Sequence, residues 1–159
     1  MIVADSNILA ARMLTSTHAS LAEQVEQIDS VWIVPPLWRY EFQNILAKAM
    51  WARQIMPGDA VEVWRNVFTR MSDNEHEPSA ERVIELASRH RITGYDANFI
   101  ALAMEMGVLC VTEDCELHVK FPNTALCMKD FIKLKSGESQ VCESRAEYHV
   151  RPRKKKSGN

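Results

Sequence analysis

The sequence predicts an α/β domain built on a mostly parallel sheet with helices on both faces. Four short apolar runs, at residues 2–5, 31–34, 108–111 and 124–128, read as strands, and the stretches between them carry apolar residues at helical spacing. A chain of 159 residues, 47% of them hydrophobic and without internal repeats, supports one good core and a single compact body.

Ile2-Val-Ala-Asp5 is an apolar run closed by an acid, and Ser6-Asn7 turns the chain into a helical stretch through Leu14. Thr17 reads as the cap of a second helix reaching about Ile28. After the strand Val31–Val34, Pro35-Pro36 opens a long helix to about Arg53, since proline is tolerated in a first turn. Pro57-Gly58-Asp59 separates it from a helix bearing Val61, Trp64, Val67, Phe68 and Met71. Val83, Ile84, Leu86 and Ala87 mark another, and Ile92–Tyr95 leads into a helix from about Asp96 to Met106 that Gly107 ends. Val108–Val111 is a buried type of strand, Thr124–Met128 the last strand, and Lys129–Leu134 a closing turn of helix. The apolar periodicity stops at Ser136. The expected organisation is therefore a domain over residues 1–135 and a largely disordered tail over 136–159 with a basic end.

Composition narrows the function. The amino terminus has no basic flank and the longest apolar run, Phe99–Met104, is far too short for a bilayer, so neither a signal peptide nor a membrane helix is expected. Cys110, Cys115, Cys127 and Cys142 lack Cys-x-x-Cys spacing, which argues against a zinc knuckle and fits a reducing cytoplasm. The net charge of -2 conceals an asymmetry: the last nine residues hold five of the 19 basic side chains and no acid, leaving the rest with 14 basic against 21 acidic residues, near −7. Such a body binds polyanions poorly unless cations or a local basic rim assist.

Four acids interrupt or close apolar segments. Asp5 ends the first strand, where functional groups of open parallel sheets collect, and it is equally placed to cap the helix that follows. Glu41 shares a helical stripe with Trp38, Ile45 and Ala49; a carboxylate there needs a cation or a raised pKa, unless it reaches water or pairs with Arg39 or Lys48. Asp96 lies three residues after Thr93, which is capping-box spacing, and Asp114 follows the strand 108–111 and is placed to start a short helix bearing Leu117. Taken together, two acids beyond strand ends and two on helices that can lean over the same edge form an oxygen-rich set without a nearby histidine. Such a set suits magnesium or manganese better than zinc.

Val3-Ala-Asp5-Ser-Asn-Ile-Leu9, Trp38-Arg-Tyr-Glu41-Phe-Gln-Asn-Ile-Leu46, Gly94-Tyr-Asp96-Ala and Val111-Thr-Glu-Asp114-Cys-Glu-Leu117 resemble the motifs of PIN-domain ribonucleases, especially VapC-type toxins. The likeness runs from residue 1 to about 134 and does not account for the carboxyl-terminal extension. It implies a PIN-like three-layer α/β/α fold, with Asp5, Glu41, Asp96 and Asp114 as a catalytic, metal-binding quartet and Ser6, Asn7 and Thr112 as polar support. It further implies a Mg²⁺- or Mn²⁺-dependent endoribonuclease, often a homodimer, whose partners are an RNA substrate and a cognate antitoxin protein. A non-catalytic RNA- or protein-binding module on the same fold is the alternative. Phosphotransfer through an aspartyl nucleophile fits less well, because Asp5 lacks a second acid two residues on.

Arg12, Arg39, Lys48, Arg53, Arg89 and Arg91 read mainly as solvated surface, and Trp38, Trp51, Trp64 and Tyr40 mainly as core. His18, His76, His90, His118 and His149 show no metal-ligand spacing and are assigned no catalytic role.

Overall fold

The structure, a computed structural model, describes residues 1–137. The tail expected beyond residue 135, Cys142 and His149 included, lies outside the described residues except for Ser136 and Gly137, which end the last helix. The strands are β1 (Ile2–Ala4), β2 (Trp32–Ile33), β3 (Cys110–Val111) and β4 (Ala125–Leu126). The helices are α1 (Ser6–Met13), α2 (Ala19–Ile28), α3 (Trp38–Trp51), α4 (Pro57–Met71), α5 (Ala80–His90), α6 (Gly94–Met106), α7 (Cys115–Lys120) and α8 (Met128–Ser136).

All strand pairs are parallel, in the order β2-β1-β3-β4, with Val3 opposite both Ile33 and Cys110. Side chains alternate across the sheet because successive Cβ atoms point to opposite faces. Ile2, Ala4, Trp32, Val34 and Val111 pack with the apolar faces of α1, α2, α3, α4 and α8. Val3, Ile33, Cys110 and Ala125 pack with α5, α6 and α7. The result is the three-layer α/β/α arrangement, with both sheet faces dry. That double burial is why these strands read as continuous apolar runs rather than alternating ones.

Several boundaries differ from the sequence reading. Met128 starts α8 rather than ending a strand, because the Cys127 thiol accepts from the Asp130 amide as a cap, and α8 runs well past the single turn expected. Pro57 is the first residue of α4 and not a separator, since its missing N–H is an orphan position in any first turn. The cap position of α2 is His18, one residue beyond Thr17. Pro35 and Pro36 lie just before α3, their carbonyls accepting from Trp38 and Arg39, and α3 ends at Trp51, two residues short of Arg53.

The aromatic set divides in two. Trp38 and Trp64 are 5.4 Å apart between centroids and join Phe42 and Phe68 in the α3–α4 seam. Tyr40 and Trp51, read as core from the sequence, are 71% and 78% exposed. Below Trp38, Glu75 ties α3 to the edge of the sheet. Its carboxylate accepts from Trp38 Nε1 at 2.6 Å and from Arg39 Nε and Nη2 at 2.6 and 2.5 Å, while its backbone bridges Val34 beyond β2. This clamp fixes the roll of the first turn of α3, which carries Glu41. Arg39 is therefore held in an ion pair, as are Arg12 with Glu26 and Arg89 with Glu85.

Candidate active site

β1 leads through α1 and α2 to β2 on one side, whereas β3 joins β1 on the other. Between β1 and β3 the strand order reverses, and in open α/β sheets the crevice at that carboxyl edge is where ligands bind. Asp5 and Thr112 are the first residues past these two strands. The Asp5 amide donates to the Val111 carbonyl at 3.0 Å and the Thr112 amide to Leu126 at 3.0 Å, so the ladder itself fixes both residues.

Their side chains meet. Thr112, wholly buried, donates its hydroxyl proton to Asp5 Oδ2 at 2.5 Å and accepts at Oγ1 from the Asp114 amide at 3.1 Å. Asn7 Nδ2 donates to the same Asp5 oxygen at 2.7 Å, and Asn7 Oδ1 accepts from the Glu113 amide at 3.3 Å. The strand-end loop is held from beneath by His118, whose Nε2 lies 2.8 Å from the Thr112 carbonyl. No ligand-spacing signal marked this histidine; it stands one helical turn beyond Asp114, which is the only clue the sequence offers.

Asp5 occupies the cap position of α1, in extended backbone. Burial pushes its pKa up, the Thr112 hydroxyl and the amides of Ser6 and Asn7 pull it down, and the charge of Asp96 pushes it up again. Glu41 pairs with neither Arg39 nor Lys48; its Oε2 accepts from the buried Ser6 hydroxyl at 2.6 Å. Its pKa is also raised, first by burial and then, against the Ser6 bond, by the charges of Asp5 and Asp96. Asp5, Glu41 and Asp96 thus share one electrostatic neighbourhood, and no Lys or Arg contributes to the shift of either raised carboxylate.

The expected cap at Asp96 is present: the Thr93 hydroxyl accepts from the Asp96 amide at 3.1 Å and donates to Asp96 Oδ2 at 2.6 Å. The bond orients the carboxylate at the tip of α6 without neutralising it. Asp114 stands apart. Its Oδ1 accepts from the Glu116 and Leu117 amides at 2.7 and 3.4 Å, capping α7, and its link to the cluster runs through its own amide to Thr112. As oriented, no three His, Cys, Asp or Glu side chains among the described residues stand close enough to ligate a single ion. The donor set nevertheless fits a hard divalent cation: three carboxylates repel one another with no basic side chain to offset them, and oxygen donors are what such ions take.

Thr112→Val tests the keystone of this network. Valine matches threonine in shape but leaves the Asp114 amide and one Asp5 bond without their buried partner, so a loss of about 1–3 kcal/mol is expected. The shift of the urea midpoint measures it; an unchanged midpoint shows that the hydroxyl holds nothing together.

The PIN domain family model matches residues 2–120, from β1 to the end of α7. No curated protein matches significantly. Among solved structures, the crystal structure of PAE2754 from Pyrobaculum aerophilum is similar, with a TM-score of 0.66 at 20% identity over 86% of this chain and 89% of that one. At that identity the likeness speaks for the fold, and the family match spans most of the sequence. The chain belongs to the PIN domain family, whose members are generally metal-dependent nucleases.

Proposed function

We propose that this protein is a Mg²⁺- or Mn²⁺-dependent endoribonuclease and the toxin of a type II toxin–antitoxin pair. The observation that carries the nuclease reading is the convergence of Asp5, Glu41 and Asp96 at the carboxyl edge between β1 and β3 without a basic counterion. The motifs shared with VapC-type toxins support the toxin role, an antitoxin as partner and a homodimeric state.

Asp5, Glu41 and Asp96 would hold the cation, with Asp114 completing the set. When bound, a divalent cation polarises the scissile phosphate and lowers the pKa of a coordinated water. The chain's own residues prepare the rest. Thr112 and Asn7 both donate to Asp5 Oδ2, which directs the other oxygen, Oδ1, away from that pair. Ser6 pins Glu41 Oε2, which leaves Oε1 as the oxygen to face the cation. Charge repulsion between the three acids keeps the metal-free centre a poor host for phosphate.

The non-catalytic module draws its support from Asp114, whose carboxylate is engaged in capping α7. One experiment separates the two readings. RNA incubated with purified protein in Mg²⁺ or Mn²⁺ is cleaved at discrete sites, and sequencing of 5′ ends during induced expression finds the same sites in cells. Cleavage that persists in excess chelator overturns the metal-dependent reading, and binding without cleavage in either metal favours the module.

A further inference from the structure

A cleft of about 410 Å³ opens directly off the acidic cluster, between α1, α3 and the start of α8. Its walls include Ala10, Leu14, Ile45 and Met128, and its polar lining includes Asn7 and Glu113. Those last two belong also to the network at the centre, where Asn7 holds Asp5 and accepts from the Glu113 amide. The cleft and the centre therefore share Asn7, which lines the one and holds Asp5 in the other. A volume of this size falls in the range of small-ligand sites, about 300–1,000 Å³, where apolar walls and a few fixed polar groups bind one planar molecule.

Resting on the nuclease reading, we propose that this cleft receives one unpaired base of the RNA beside the scissile phosphate and selects guanine. Two observations carry the choice. The half-buried apolar side chains of α1 and α3, Ala10, Leu14 and Ile45, supply faces against which a base can lie, as unstacked bases do in single-strand recognition. Glu113 has one oxygen, Oε1, accepting from the Met128 amide at 3.0 Å, so the carboxylate is fixed at the amino end of α8. A fixed carboxylate accepts from bases that present N–H donors and repels those that present carbonyl oxygens. Guanine offers N1–H and the N2 amino group on one edge, two donors for one carboxylate, while uracil flanks its single N–H with two carbonyls. The charge also argues against a bulkier anionic occupant, since the phosphate belongs at the metal-binding centre and only the neutral base enters.

The test titrates the four ribonucleoside 5′-monophosphates into the Mg²⁺-loaded protein and follows the methyl resonances of Met128 and Ala10. GMP is expected to bind most tightly and to move both methyls. Ala10→Phe, which fills the cleft, abolishes the shift of the remaining probe, the Met128 methyl. Should that variant fail to fold, Glu113→Gln decides: its amide keeps Oε1 for the Met128 amide and puts a donor in place of the second acceptor, so the preference for GMP over UMP narrows by about tenfold, the loss of one charge-assisted hydrogen bond. Equal binding of all four nucleotides, methyl shifts that survive Ala10→Phe, or a preference untouched by Glu113→Gln overturns the proposal and leaves the cleft to a protein side chain. The outcome is separate from that of the nuclease reading. Base-selective binding in a protein that cuts no RNA sinks only the nuclease, and RNA cleavage without base selectivity in the cleft sinks only the pocket.

Discussion

Asp5→Asn abolishes RNA cleavage and, in chelator, raises rather than lowers the melting temperature. The two halves of this expectation come from one physical cause. The Asp5 carboxylate is held in a site where burial and the charge of Asp96 both oppose ionisation, so the folded metal-free protein bears a cost that the unfolded chain escapes. Asparagine has nearly the same shape and its oxygen still accepts from Thr112 and Asn7, but it carries no charge to desolvate or repel. Without the charge, the site loses the donor best anchored by the fold, and the rate falls by roughly two to four orders of magnitude, as for removal of a central acid–base or electrostatic group. Cleavage assays at saturating metal, with melting curves in chelator, check both parts. A variant that melts several degrees below wild type in chelator shows that Asp5 is a structural acid, and a variant that still cuts RNA at the wild-type rate removes it from the mechanism.

The second large effect is a metal-induced rise in stability that grows with pH. A ligand at a hundred times its dissociation constant stabilises the folded state by about 2.7 kcal/mol, which for a domain of this size raises the melting temperature by roughly 5–10 °C. Its pH dependence follows from the raised pKa values of Asp5 and Glu41. Between the unfolded-chain values, 3.8 and 4.5, and the raised folded values, the folded protein holds more protons than the unfolded one. Stability of the chelated protein contributed by these groups therefore falls as pH rises through that window. A cation competes with those protons, so its stabilising effect is smallest at the acid end of that window and full once both carboxylates have ionised. Glu75, held low by Arg39, acts in the opposite direction, and the comparison with Asp5→Asn cancels it. Melting curves of wild type and Asp5→Asn with Mn²⁺ or chelator, from pH 5 to 8, measure the difference. A metal-induced shift that is the same for both proteins, or that shrinks as pH rises, places the cation elsewhere.

Much of the fold was legible because double burial leaves a coarse imprint. Strands closed in on both faces must be apolar throughout, which is why Ile2–Ala4 and Cys110–Val111 stood out despite their brevity. Boundaries were less legible, because a cap is a local hydrogen bond between specific atoms. Nothing in the pattern distinguished a Cys127 thiol that caps a helix from a cysteine inside a strand, or the Pro57 that begins α4 from one that separates helices. Tyr40 shows the same limit for packing: it sits one position from Glu41 on a partly apolar helix, and only the placement of neighbouring helices leaves it in solvent.

The site divides along a similar line. That Glu41 is anomalous was written in the sequence, since an acid set into an apolar helical stripe needs an unusual environment wherever the chain takes it, whereas Asp5 read equally as a helix cap and Asp96 by itself as a capping-box acid. That Asp96 could both join the Thr93 cap of α6 and share a field with the other two acids was not, because local spacing fits either role and only the approach of α6 to β1 lets one residue fill both. Asp114 had the same credentials, yet the chain turns its carboxylate back onto α7. Thr112 and Ser6 owe their importance wholly to what folding brings to them, one proton each from a hydroxyl to a carboxylate 107 and 35 residues away in sequence. Composition and periodicity thus determined that this is a parallel α/β domain with costly acids. Three-dimensional proximity decided which acids share a field, because Coulomb repulsion and hydrogen bonding depend on separations of a few ångströms that sequence distance does not encode.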